Sequence, residues 1–284
     1  MRYEKLILLI FCCCVGSAVQ SKGVYRDIDK ALEHPEDVRA IHIKGQRLLS
    51  VPDVFDQFPN LEEIELDHNL LEVIPPSIFR CQQLKSLDLF QNNIREVPER
   101  IGQLTRLTYL SLSHNKLTAL PDSICYLINL EQLLLSGNNL QRLPVFMPNM
   151  QKLRKLKANN NLIDSLNSKF VDIPALKLLD LSNNKLKALP INMGRMHKLE
   201  ILYLSYNQLM NLPESLGECK SLTELDAVYC GVLQLPFSLG YLPRLEFVYI
   251  DDHTVPFFQD PRYTKYQQII VVNGRTTAPY RHNQ

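Results

Sequence analysis

Residues 176–198 read LKLLDLSNNKLKALPINMGRMHK, and this stretch is one complete copy of a pattern that fills most of the chain. Leucines stand at its first, fourth and sixth positions, asparagine at the ninth and proline at the fifteenth. The pattern recurs every 23 residues without a shift in phase over ten copies, of which the last is cut short. The first positions are Val38, Leu61, Leu84, Leu107, Leu130, Leu153, Leu176, Leu199, Leu222 and Leu245. Repetition at this length predicts a solenoid, in which each copy packs on its neighbours.

Each recurring residue has a physical role within the copy. Positions 4 and 6, such as Leu110 and Leu112, alternate as in a short strand that buries one face. We predict that the strands of successive copies pair in parallel, about 4.8 Å apart. The asparagine at position 9 offers donors and an acceptor to backbone groups where the chain leaves the strand. The proline at position 15 ends strand pairing and begins the return arc.

Written as LxxLxLxxNxLxxLPxxIgxLxxL, the copy resembles a leucine-rich repeat, in particular the 23-residue subclass of bacterial exported and Ras-associated repeat proteins. The resemblance covers about residues 38–256. It implies an α/β-type solenoid, a curved horseshoe of about ten repeats with a parallel sheet on its concave side. It also implies protein recognition on that sheet, although a fold of such wide use does not specify the partner.

The segments on either side of the repeats are predicted to cap the two open ends. In residues 19–37, apolar residues at helical spacing and Asp27 as N-cap predict a short helix that Pro35 ends. The apolar positions are Val24, Ile28, Ala31 and Leu32. At the other end, residues 257–284 form the predicted C-terminal cap and tail. There the β-branched run at 269–272 precedes an Asn-Gly turn signal and predicts a last strand that covers the sheet edge.

Residues 1–18 have the layout of a secretory signal peptide. Arg2 and Lys5 lie in a basic start, an apolar run follows at 6–15, and small residues stand at 16–18. The apolar run is short for a membrane span, so we predict cleavage and export, with no stable span left. The predicted location is therefore outside the cell, or in the periplasm and cell envelope. An uncleaved signal anchor is the alternative.

Charge and cysteine usage narrow the class of protein further. Lys plus Arg (31) nearly balance Asp plus Glu (30), which argues against a nucleic-acid partner. Three of the seven cysteines fall within the predicted signal peptide. The other four, Cys81, Cys125, Cys219 and Cys230, are mostly too far apart along a solenoid to bring their Cα atoms within about 7 Å. We predict that they form no disulfides.

The concave side is predicted to carry positions 2, 3, 5, 7 and 8 of each copy, which fall into three zones. The second and third copies are acidic, through Glu62, Glu63, Glu65, Asp67 and Asp88, and the sixth is basic, through Arg154, Lys155 and Lys157. The last four copies present rings and apolar groups with two aspartates. The predicted partner-binding residues are Leu178, Asp180, Ile201, Tyr203, Tyr206, Asp226, Tyr229, Phe247 and Tyr249. Exposed rings often mark recognition surfaces, although cross-strand pairing is the alternative reason for them.

The sequence does not indicate catalysis. His68 and His114 share position 8 but lie two strands apart, about 10 Å, which is too far for one metal ion. Asp180 and Asp226 are separated in the same way on an open sheet without a water-excluding pocket. We therefore predict no enzyme, no cofactor and no metal site, but a monomeric scaffold that binds a protein or peptide. Two alternatives stay open, an intracellular Ras-type signalling scaffold and an exported binder of glycans or envelope polymers.

Overall fold

The computed structural model describes residues 23–231, 233–251 and 253–254 and the backbone of 269–271, and this part forms one parallel sheet of twelve strands. The strands follow one another in chain order, so each pairs with its sequence neighbours. Leu110 pairs with Leu133, and Leu133 with Leu156, which is the 23-residue register. This confirms the predicted parallel solenoid. The strands are β1 (Val24–Tyr25), β2 (Ala40–His42), β3 (Glu63–Glu65), β4 (Ser86–Asp88), β5 (Tyr109–Ser111), β6 (Gln132–Leu134), β7 (Lys155–Lys157), β8 (Leu178–Asp180), β9 (Ile201–Tyr203), β10 (Glu224–Asp226), β11 (Phe247–Ile250) and β12 (Ile269–Val271).

The interior is lined by the apolar residues that the repeat places there. In the copy at 176–198, Leu179, Leu181 and Leu186 are fully buried. The same positions in the other copies join into one apolar core that runs the length of the solenoid. Burying a leucine side chain contributes roughly 1.5–3 kcal/mol relative to leaving it exposed, so the core is what holds successive coils together.

The return arcs are short 3-10 turns. Pro98, Pro121 and Pro213 each precede such a turn in an extended conformation, in keeping with a residue that lacks an N–H and fixes its own φ. In the sixth copy Asn167 stands in place of proline, and its side chain accepts a hydrogen bond from the Lys169 amide at 2.9 Å. Since the turns are bulkier than the strands, the sheet lies on the concave side. The turns are Pro35–Asp37, Phe55–Gln57, Pro76–Arg80, Glu99–Gln103, Asp122–Tyr126, Met147–Asn149, Ser168–Asp172, Met193–Arg195, Glu214–Glu218 and Phe237–Tyr241.

The asparagines at position 9 connect successive coils. The Asn184 Nδ2 atom donates to the Leu181 carbonyl at 2.9 Å and to the Ala158 carbonyl of the preceding coil at 3.0 Å. Its Oδ1 atom accepts from the Ile163 amide at 3.0 Å. The Leu181 carbonyl also accepts from Asn207, so each position-6 carbonyl from Leu66 to Leu181 receives two amide donors. The side chain satisfies backbone groups of two coils at once, which is the structural role expected for it.

The N-terminal cap contains the predicted helix and one strand that was not predicted. Helix α1 (Ile28–Glu33) begins at Asp27, whose side chain accepts from the Asp29 amide at 3.0 Å. Assigning Val24 to the helix was wrong, because Val24 lies in β1 and pairs with Ala40. No helix in the described part of the chain is long and apolar enough to cross a membrane.

The predicted last strand is present as β12, which pairs in parallel with β11. Its register differs from that of the repeat, because Val248 pairs with Ile269. β12 is therefore an added cap strand, and it covers the edge that β11 would otherwise expose. The predicted signal peptide and the rest of the C-terminal tail lie outside the described residues.

Candidate binding surface on the concave face

Seven of the nine predicted partner-binding side chains are partly or fully exposed on the concave side of β8 to β11 and the loops that follow β9 and β10. We call these seven the aromatic surface. They are Leu178, Ile201, Tyr203, Tyr206, Tyr229, Phe247 and Tyr249. The register places Leu178, Ile201 and Phe247 in one row across the strands, with Tyr203 and Tyr249 in the next. On β10, Glu224 lies between the members of the first row and the buried Asp226 between those of the second, so the surface spans four copies with one acidic side chain among its rings.

The other two predicted residues, Asp180 and Asp226, are buried, with 1% and 3% of their surface exposed. Asp180 Oδ1 accepts hydrogen bonds from the Ser182 amide at 3.1 Å and the Ser182 hydroxyl at 2.5 Å. Asp226 accepts from the Ser205 hydroxyl and from the Val228 amide. Both carboxylates stabilise the turn that leaves their strand, so we leave them out of the contact surface.

Position 8 of the first nine copies has a left-handed backbone. Its φ values lie between 51° and 67° in nine successive copies. The residues are Gly45, His68, Gln91, His114, Gly137, Asn160, Asn183, Tyr206 and Tyr229. Glycine, asparagine and histidine tolerate this region best. A bulky residue there bears steric strain of about 1–2 kcal/mol, so Tyr206 and Tyr229 occupy a position that the backbone does not favour for them.

These two tyrosines lie against each other on the open face. Their ring centroids are 5.0 Å apart with an interplanar angle of 38°, and 47% of Tyr206 is exposed. Phe247 and Tyr249 stack at 6.4 Å on the neighbouring strand. Burial raises the pKa of Tyr203, and the charge and hydrogen bond of Glu224 raise it further. The Tyr203 hydroxyl therefore stays protonated and can act as a donor.

The first two copies carry an ion-paired network of histidine, lysine and acidic side chains. The His42 ring nitrogens lie 3.0 Å from Glu63 Oε1 and 3.3 Å from Glu65 Oε2. The Lys44 ammonium lies 2.6 Å from Glu65 Oε2 and 3.6 Å from Asp67 Oδ1. We call these five residues the acidic network. Its three carboxylates outnumber Lys44 and His42 together, so the network is acidic overall although its members are paired.

Three side chains of the acidic network could in principle hold a metal ion. Ligand atoms of His42, Glu63 and Glu65 lie within 4.8 Å of one another. Both nitrogens of His42 already face a carboxylate, and a cation would have to displace Lys44 from Glu65. The sequence analysis missed this grouping, although the repeat signals it, since residue 65 follows residue 42 by one period. We assign no metal to it.

Asp88, on the next strand, extends the negative charge of the acidic network. Burial raises the pKa of its carboxyl, and the charges of Asp67 and Glu65 act in the same direction. The Phe90 amide, which donates to Asp88 Oδ1 at 2.8 Å, opposes the shift. Asp88 is thus a carboxylate that the folded chain ionises with difficulty.

Lys155 and Lys157 stand half-buried on β7, between the acidic network and the aromatic surface. Burial lowers the pKa of Lys155, and the charge of Lys157 lowers it further. The third residue of the predicted basic zone, Arg154, lies 3.8 Å from Glu131 and is paired.

The four cysteines in the described part of the chain are free and buried. Burial is the first cause that raises the pKa of each thiol, to about 12. Since the thiolate is the nucleophilic form, these side chains are unreactive near neutral pH. Cys230, in the asparagine column, donates its thiol proton to the Leu204 carbonyl at 3.3 Å.

Comparison with known families accounts for this architecture. Leucine-rich-repeat models match residues 36–94, 59–117, 82–140 and 128–186, and a further one matches 198–219. Together these matches cover more than half of the chain. The chain is a leucine-rich-repeat protein. The resemblance drawn from the sequence is thereby confirmed, with the in-phase copies as its basis.

Individual relatives show how widely this leucine-rich-repeat fold is used. The chain is 40% identical over 58 residues to the leucine-rich-repeat-containing G-protein coupled receptor 5 of Rattus norvegicus, a match to 20% of the chain and only 6% of the receptor. A leucine-rich-repeat protein of Leptospira interrogans superposes with a TM-score of 0.66 at 24% identity, covering 88% of this chain and 82% of that one. The plant peptide hormone receptor RGFR1, solved in complex with RGF2, gives a TM-score of 0.67 at 27% identity, over 78% of this chain and 40% of the receptor chain.

Proposed function

We propose that this leucine-rich-repeat protein is a non-enzymatic scaffold that binds a protein or peptide segment on the aromatic surface. The observation that carries the proposal is the pair Tyr206 and Tyr229, an exposed and a half-buried ring in contact at left-handed backbone positions. Strained residues persist where the surrounding structure holds them, and they concentrate at functional sites. Packing within the sheet does not require rings there, since Asn160 and Asn183 occupy the same position in earlier copies.

The chemistry of the aromatic surface suits recognition of an extended segment. Tyrosine offers a large rigid ring and a hydroxyl donor, and tyrosine is enriched among the residues that dominate binding energy at interfaces. The surface is open, so a segment could lie across several strands. RGFR1, to which this chain is similar, was solved in complex with RGF2, which supports peptide binding as a class of function for the fold.

A random 12-residue peptide library panned against the full chain tests the proposal. We expect enriched peptides to bind, and the double variant Tyr206→Asn/Tyr229→Asn to weaken that binding by at least about 10-fold, as expected for hot-spot rings. Asparagine is the residue that the repeat itself uses at this position, so the variant should fold. Thermal unfolding of each variant checks that it does.

The matched control is His68→Asn/Gln91→Asn, which makes the same kind of change at position 8 of the second and third copies. It should leave peptide binding unchanged. Equal binding by the tyrosine double variant and the natural chain would overturn the proposal. Enrichment on a glycan array instead of the peptide library would favour the glycan-binder alternative.

We also propose that the chain acts outside the cytoplasm, on the basis of residues 1–18. N-terminal sequencing of the natural protein tests this. A mature protein that begins near residue 19 is expected, whereas an intact residue 1 would favour the anchored form or the intracellular Ras-type scaffold.

A further inference from the structure

We propose that Lys155 and Lys157 form a binding site for a carboxylate of the partner, so that the segment bound by this chain is acidic. The inference rests on the proposed function and adds the chemistry of the ligand to it. It is carried by a pair of cations that the protein places together on the concave face and does not neutralise.

The register fixes the surroundings of the two lysines. Lys155 and Lys157 are the first and last residues of β7 and flank the buried Leu156. Their partners on β6 are Gln132 and Leu134. These neighbours are half-buried and uncharged. The carboxylate next to them, that of Glu131, lies 3.8 Å from Arg154 and not in an ion pair with either lysine.

The β8 side offers one carboxylate, Asp180, which pairs in register with Lys157. Asp180 is buried, and its Oδ1 atom accepts both hydrogen bonds from Ser182. It serves the turn after β8. The partner of Lys155 on that strand is Leu178.

Three other lysines on the same face are paired. The Lys44, Lys85 and Lys177 ammonium groups lie 2.6 to 2.7 Å from the carboxylates of Glu65, Glu62 and Glu200. In the described part of the chain, neither Lys155 nor Lys157 forms an ion pair of this kind. The protein thus places an acidic partner beside most concave lysines and omits it at β7.

The two ammonium groups are unfavourably placed unless an anion joins them. Residues two apart on a strand lie about 7 Å from each other, which leaves room for one carboxylate between two flexible lysine side chains. Burial and the charge of Lys157 both lower the pKa of Lys155. A carboxylate of the partner bound between the two lysines would lie half-buried beside Leu134 and Leu178. It would accept charge-assisted hydrogen bonds from the ammonium groups, and such bonds are stronger than neutral ones.

The position of the pair sets where the acidic group lies in the segment. The aromatic surface begins at Leu178 on β8, and Tyr203 lies on β9, two strands from β7. Two strand spacings are about 10 Å, or about three residues of an extended peptide. We therefore expect an acidic residue about three positions from a large apolar or aromatic residue.

The peptide library described above tests this inference. Peptides enriched on the full chain should carry Asp or Glu at that spacing, above their frequency in the unselected library. Replacing the acidic residue of an enriched synthetic peptide by its amide should weaken binding about 10- to 100-fold. The affinity should also fall as salt is raised, because the pair is partly exposed to screening.

Variants of the chain complete the test. Lys155→Gln/Lys157→Gln should bind the acid and amide peptides equally, whereas Lys177→Gln, which removes a paired lysine from the same face, should keep the difference. The charge reversal Lys157→Glu should turn the selection toward basic peptides. Thermal unfolding confirms that each variant is folded.

The outcomes separate this inference from the function on which it rests. Enriched peptides that depend on Tyr206 and Tyr229 but show no acidic preference would overturn the lysine site and leave the scaffold proposal standing. A library that yields no peptide, or peptides indifferent to the tyrosine variant, would overturn both.

Discussion

The two ends of the concave face are built on the same backbone and use it in opposite ways. In the acidic network the side chains satisfy one another, with His42 and Lys44 lying against Glu63 and Glu65. In the aromatic surface the exposed Tyr206 and the half-buried Tyr229 lie on a strained backbone. The first end resembles a solvated face with internal ion pairs, and the second is the surface for which we propose a partner.

A second difference coincides with the first. Position 9 holds asparagine from Asn69 to Asn207 and changes to Cys230 in the ninth copy. A thiol can donate one hydrogen bond, whereas the asparagine amide donates two and accepts one more. The repeat thus relaxes its stabilising pattern beside the rings, and it also does so in the first copy, where Gln46 stands at position 9.

The largest effect is expected from the asparagine column. Asn184→Ala orphans the Ile163 amide, while the Ala158 and Leu181 carbonyls each keep a second donor. We expect a loss of about 2 kcal/mol in the free energy of unfolding, since a buried unpaired group costs about 1–3 kcal/mol. Cys230→Ala should cost about 1 kcal/mol or less. Urea unfolding measures both variants. Equal losses in the free energy of unfolding for Asn184→Ala and Cys230→Ala would contradict the second difference.

The tyrosine pair gives the next largest effect. Tyr206→Asn/Tyr229→Asn relieves left-handed strain of about 1 kcal/mol per site and loses an aromatic pair contributing about 0.5–1.5 kcal/mol. We expect the free energy of unfolding to stay the same or to rise by up to about 1 kcal/mol, despite the loss of binding. Urea unfolding measures it. A clear loss of stability would mean that the rings serve the fold.

A pH-dependent effect is expected at Asp88. The raised pKa means that the folded chain holds its proton to a higher pH than the unfolded chain, whose ordinary value is 3.8. Stability therefore falls as pH rises from about that value through the folded pKa. Asp88→Asn should raise the free energy of unfolding by up to about 1 kcal/mol at pH 7. The gain should vanish near pH 3, and thermal unfolding at both values measures it. A gain that persists at pH 3 would contradict the assignment to charge.

The smallest effect is expected within the acidic network. Glu63→Gln removes an exposed partner of His42, and exposed ion pairs contribute about 0–1 kcal/mol. We expect the free energy of unfolding, measured in urea, to fall by less than about 0.5 kcal/mol, and peptide binding to stay the same. Weaker binding in this variant would show that both ends of the concave face meet the partner.

The sequence predicted the solenoid because ten copies in phase are compatible with only one strand register and one buried core. It could not predict β1, because Val24 and Ile28 also fit a helical spacing and only pairing with β2 separates them. The asparagine roles followed from the donors and acceptors that the side chain carries. The left-handed backbone at position 8 could not be predicted in this way. Tyrosine, glutamine and glycine all occur there, so the residue type does not indicate the φ value.

The candidate surface was predictable to the extent that position in the repeat determines exposure. Leu178 and Tyr203 follow that rule. Asp180 and Asp226 do not. The Asp180 carboxylate turns back onto Ser182, and that of Asp226 accepts from the Val228 amide and from Ser205 of the preceding coil. The 23-residue register places His42 beside Glu65, but only the side-chain conformations show that the two are in contact.

The change from asparagine to Cys230 also has a mechanical consequence. A solenoid pulled from its ends loses coils one at a time, because each coil is bonded only to its neighbours. At position 9 one thiol hydrogen bond joins the ninth coil to the eighth, where earlier coils share an amide, while the pairing of β9 with β10 is kept. Without that amide the ninth coil should yield at lower force. Each coil of 23 residues would release roughly 80 Å of extended chain. The rings for which we propose a partner thus lie beside a coil that tension on the chain would release more readily than its asparagine-bonded neighbours.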